Sequence, residues 1–62
     1  MDRHMAINFA DAFMTDWYVN HAESDMPTVI DICEWFMKTR SVKMNPCDAA
    51  IIRVQIINLY YP

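Results

Sequence analysis

Apolar and polar positions along this chain fall into three blocks, each opened by a residue suited to begin a helix. In the first, "NFADAFMTDWYVNHA", Phe9, Ala10, Phe13, Met14 and Trp17 recur at spacings of three and four, with Asn8, Asp11 and Thr15 opposite. Asn8 is a good N-cap and Asp11 faces the positive helix end, which predicts a helix over 8–21. In the second, "SDMPTVIDICEWFMKTR", Ser24 or Asp25 supplies the cap and Pro27 falls in the first turn, where a missing amide hydrogen does no harm. Val29, Ile30, Cys33, Phe36 and Met37 form the inward stripe of a helix over 26–39. Asp31, Glu34 and Lys38 form its outward one, with Trp35 beside Thr28, Ile32 and Thr39 on the outward side.

The third block, "NPCDAAIIRVQIINLYYP", is ambiguous. Its β-branched run would make a respectable strand, with Ile52, Val54 and Ile56 on one face. The Asn45-Pro46-x-Asp48 opening is a helix start, however, and a lone strand has nothing to pair with. A helix over 46–60 follows. On a helical wheel Ala49, Ile52, Ile56, Leu59 and Tyr60 form one apolar stripe, and Ala50, Val54, Ile57 and Tyr61 form a second about 100° around. A surface helix carries one such stripe. Two stripes mean either that this helix is the middle element of a three-helix bundle, or that its second stripe meets another chain, most simply its own copy across a twofold axis. The second alternative is the expectation adopted: an all-α three-helix bundle, homodimeric through helix 3.

Composition sharpens this picture. Sixty-two residues make one small domain, and a chain this short buries only about 60% of its unfolded surface. Yet 55% of its residues are hydrophobic, a surplus that points to burial between molecules. Glycine is absent, which removes the phosphate-cradling loops that depend on it and suits a helical fold. Net charge is −3 and unevenly spread: residues 1–31 carry six acids against Arg3, whereas 32–62 carry Glu34 and Asp48 against Lys38, Arg40, Lys43 and Arg53. An acidic first half suits a basic partner. No apolar run approaches the roughly 20 residues of a membrane span, and no signal peptide is evident, so a cytoplasmic setting is expected. Residues 1–4 read as a cloning remnant with Met5 as the natural start, which keeps His4 out of functional reasoning.

Candidate chemistry is sparse. His21, Cys33 and Cys47 match no zinc spacing. An up-down-up bundle places His21 and Cys47 at opposite ends, roughly 20 Å apart, with Cys33 midway. No metal or cofactor is expected, and no disulfide. "HAESD" brings His21, Ser24 and Asp25 together, but a triad needs a buried orienting acid, an oxyanion hole and a cleft, which an inter-helix loop does not supply. The chain therefore reads as a non-enzymatic regulator, adaptor or inhibitor acting by protein contact. Trp35 and Tyr18, outward aromatics suited to anchor an interface, join Ala50, Val54, Ile57 and Tyr61 as its candidate contact residues; Trp35 lying flat against a neighbouring helix is the plainer reading of that side chain. The alternative is a helix-turn-helix-like nucleic-acid binder using Lys38, Arg40, Lys43 and Arg53. Against it stand a long second connection, Asp48 at the head of the would-be recognition helix and an acidic chain.

Overall fold

The computed structural model describes all residues 1–62 and is entirely helical: α1 (Arg3–Asn20), α2 (Val29–Arg40) and α3 (Pro46–Tyr60). Its radius of gyration, 10.5 Å, is that of a compact chain of this length, for which about 10.6 Å is expected. No helix is long and apolar enough to cross a membrane.

Each helix begins where a side chain satisfies its free amides. α1 starts five residues before the Asn8 expected from sequence. Asp2 is the cap, accepting from the Met5 amide at 2.8 Å. The apolar phase also continues back through Ala6, which is fully buried, so the extra turn has a face to pack as well as a cap to start it. α1 ends at Asn20, one residue short of the predicted His21.

α2 starts three residues later than predicted. Neither Ser24 nor Asp25 caps it. Thr28 does, in a reciprocal capping box: its hydroxyl accepts from the Asp31 amide at 3.2 Å, while the Asp31 carboxylate accepts from the Thr28 amide at 2.8 Å. Pro27 accordingly lies before the cap and is buried, instead of occupying the first turn. α2 leaves through Ser41, held in the left-handed region at φ 53°; the Ser41 amide donates to the Met37 carbonyl and the Val42 amide to the Phe36 carbonyl. α3 begins as expected, with Asn45 accepting from the Cys47 amide at 2.7 Å and Pro46 in the first turn.

Contacts along the helices give an up-down-up order. α1 and α3 run parallel: the Met1 ammonium approaches Asp48 at 3.8 Å, and the Tyr60 hydroxyl donates to Asp11 at 2.7 Å. α2 runs against both. Phe9 meets Phe36 and Phe13 meets Trp35 along α1, while Arg53 of α3 reaches back to Pro27 at the head of α2. The core between them holds Ala6, Ala10, Phe13 and Met14 of α1, Ile32 and Phe36 of α2, and Ala49, Ile52 and Ile56 of α3. Ala6, Ala10 and Ala49 contribute no more than a methyl each, which lets the parallel pair of helices close up around the two phenylalanines.

The inward face of α2 differs from the predicted stripe. Ile32, placed outward by its spacing, is fully buried, whereas Ile30 and Met37, placed inward, are 68% and 48% exposed. The face is turned by roughly one residue step, about 100°. The cause is Trp35, which packs edge-on against Phe13 and Phe36 and draws that side of α2 toward α1. The opposite flank, Ile30 and Met37, is thereby rolled into the open.

Candidate partner-binding surface

Two surfaces of different character result. The first is the open side of α3 and the adjoining flank of α2. Ala50 and Val54 are exposed, Val54 at 53%, and Ile57 and Tyr61 are half-buried at its edge. Cys47 and Ile51, exposed at the same side, extend it. The α2 flank is fixed by its middle residue: the Cys33 thiol points to the Met44 carbonyl at 3.7 Å, just ahead of α3, so Ile30, Cys33 and Met37, at i, i+3 and i+7, border α3. Arg53 stands in the seam between the two helices, but its charge is turned inward. Its Nε donates to the Pro27 carbonyl at 2.9 Å and a terminal nitrogen to the Met26 sulfur at 3.4 Å.

The second surface is a cleft of ≈ 390 Å³ between α1 and α2, and this is where Trp35 lies. Its indole nitrogen donates to the Asp16 carboxylate at 2.7 Å, and its ring is wedged against two phenylalanines. Trp17 forms another wall, stacked on His21 with ring centres 3.5 Å apart, and Glu34 and Lys38 stand at the rim. Trp35 is thus half-buried in a junction of its own chain, and it does not share a face with Ala50, Val54, Ile57 and Tyr61. Tyr18, exposed on α1, meets the end of α3 instead, its ring 6.0 Å from that of Tyr60 and with His21 and Glu23 nearby.

The tail is tied down at two points. The Tyr60 hydroxyl donates to Asp11; burial first, then this bond and the carboxylate charge, push its pKa from 10.0 up to about 12. The Tyr61 hydroxyl donates to the Asp25 carbonyl at 2.9 Å, and burial, with help from Tyr18, also raises its pKa. The same Asp25 carbonyl accepts from the Trp17 indole at 3.0 Å, so a single backbone oxygen joins α1, the first loop and the end of α3.

The basic residues are dispersed. The Arg40 guanidinium lies over Phe9 at 5.6 Å and Trp35 at 5.8 Å, Arg53 is tied to the first loop, Lys38 borders the acidic cleft, and Lys43 is exposed in the second connection. Cys33 and Cys47 are free thiols, and no group of three or more His, Cys, Asp or Glu side chains is placed to hold a metal.

Sequence reasoning missed Ile30, Met37 and Met26 as surface residues. The available signal was the count of apolar side chains in α2: Val29, Ile30, Ile32, Cys33, Phe36 and Met37 span more of the wheel than one inward face accommodates. Comparison with protein-family models, curated proteins and solved structures found no match to this chain.

Proposed function

We propose that this chain is a small non-enzymatic regulatory, adaptor or inhibitor protein that works by occupying a protein surface, with the open side of α3 as its principal contact. The observation that carries this reading is the exposed pair Ala50 and Val54, bordered by half-buried Ile57 and Tyr61, on a helix whose opposite side buries Ala49, Ile52 and Ile56. An apolar helix side exposed to water is unfavourable by about 25 cal/mol for each Å² of apolar area, and a partner relieves that cost. The acidic α1 side biases the protein toward a partner with basic character, and a cytoplasmic setting suits its free thiols.

The test is a pull-down from the native host with wild-type protein and a Val54→Glu variant, read by mass spectrometry. The expected result is a defined protein enriched by the wild type and lost with Val54→Glu. Equal recovery by both overturns α3 as the contact. Binding of nucleic acid at low salt that disappears on adding salt, with no protein recovered, overturns the reading as a whole.

A further inference from the structure

The open side of α3 is patterned for one kind of occupant. Cys47, Ala50, Val54 and Ile57 follow one another at spacings of three, four and three, the pattern of a coiled-coil seam, and Tyr61, the residue that ends the helix, stands four further on with its hydroxyl tied to the Asp25 carbonyl. The core side of the same helix keeps a different set, Ala49, Ile52 and Ile56. We infer that a second copy of this chain covers the seam, with the two α3 helices antiparallel about a twofold axis at Val54 and the Ile30–Met37 flanks of α2 closing over the sides. The inference rests on the reading of α3 as a contact surface and names its occupant.

Two observations select this arrangement and a third sets its strength. The seam is graded in size, with Cys47 and Ala50 small at its start and Ile57 and Tyr61 large at its end. An antiparallel pair sets Cys47 opposite Tyr61 and Ala50 opposite Asn58, so small meets larger toward both ends, with Ile51 opposite Ile57 between them. A parallel pair would crowd one end and leave the other hollow.

Charge points the same way. No charged side chain projects from the seam, because Arg53 is turned onto Pro27 and Met26. The charges stand at its two ends. Asp25 is beside Tyr61, whose hydroxyl donates to its carbonyl, and Glu23 lies beside Tyr18 in the same region. At the other end Lys43 lies four residues before Cys47, and the Asp48 carboxylate there is offset by the Met1 ammonium at 3.8 Å. Antiparallel pairing brings each acidic end to the other copy's lysine, whereas parallel pairing sets acid against acid.

Area is the third. A 15-residue helix is about 22 Å long, and two helices side by side present a face about 18 Å across. Two such faces, about 400 Å² each, remove on the order of 800 Å² from water, below the usual range for stable specific interfaces, so a weak, concentration-dependent dimer is expected.

Sedimentation velocity across the micromolar range and above, with four variants, tests the proposal. Wild type is expected to pass from monomer to dimer. Val54→Glu is expected to stay monomeric with an unchanged helical circular dichroism spectrum, since Val54 is a surface residue. Val54→Cys combined with Cys47→Ser is expected to be trapped as a covalent dimer by mild oxidation. In wild type, by contrast, Cys47 stays unlinked, because antiparallel pairing holds the two thiols about 21 Å apart. Lys43→Glu is expected to weaken the dimer and Glu23→Lys to restore it. A monomer at every concentration, a dimer indifferent to Val54→Glu, or a ready Cys47–Cys47 cross-link overturns the inference. A monomer that still captures a foreign protein through Val54 leaves the contact reading standing and removes only the second copy. A Val54-dependent dimer that captures nothing does the reverse.

Discussion

At the scale of single residues, two aromatic side chains hold more than their size suggests. Trp35 joins α1 to α2 through both its ring and its N–H. Trp35→Phe keeps most of the ring contact with Phe13 and Phe36 but leaves the Asp16 carboxylate without its donor. The expected cost is about 1–2 kcal/mol, less than for a fully buried charged bond because the site is open to water, and urea unfolding measures it. Tyr60 gives a pH signature. Its phenol is held neutral by burial and by donation to Asp11, so its contribution to stability is intact below pH 10 and is lost as pH rises through about 12. Alkaline unfolding followed by circular dichroism is expected to show this loss in wild type and a flatter profile in that window for Tyr60→Phe, while ultraviolet titration reads the phenol directly.

At the scale of helices, caps decide where each element starts. Thr28→Ala removes one half of the capping box at α2 and is expected to cost about 1 kcal/mol, or roughly 4–8 °C in Tm for a domain this small. Differential scanning calorimetry checks it. The three helices, their order and the cap of α3 were legible in sequence, because Asn45-Pro46 leaves little choice of helix start and the 3.6-residue spacing in blocks one and three is clear. Two boundaries were not. Asp2 and Asn8 are equally good caps by type, and only the burial of Ala6 decides between them. Ser24, Asp25 and Thr28 compete likewise, and the decision rests on Asp31 standing three residues after Thr28, so that both halves of the box close. The face of α2 was hidden for another reason. Its apolar residues cover more than half the wheel, and which of them turns inward depends on Trp35 finding Phe13, a contact between residues far apart in the chain.

At the scale of the whole molecule, the exposure of Ala50 and Val54 on the open side of α3 was legible as a surplus of apolar positions, whereas the half-burial of Ile57 and Tyr61 by the chain's own fold and the exposure of Leu59 were not. The separation of Trp35 from that side was not, because it depends on which pair of helices the tryptophan bridges. If a second copy covers the side, folding and association are linked. Raising the protein concentration by about a hundredfold is then expected to raise Tm by several degrees, and Val54→Glu is expected to remove that dependence. A chain with no glycine also concentrates its backbone awkwardness in one place. Ser41 is the only residue at positive φ, and its Cβ meets the steric penalty that glycine escapes. Ser41→Gly is expected to raise stability by about 0.5–1 kcal/mol in chemical denaturation, even after the added freedom of the unfolded chain is counted. The bend after α2 is thus where a single hydrogen atom in place of a side chain would let the backbone relax, without disturbing the core or either outer surface.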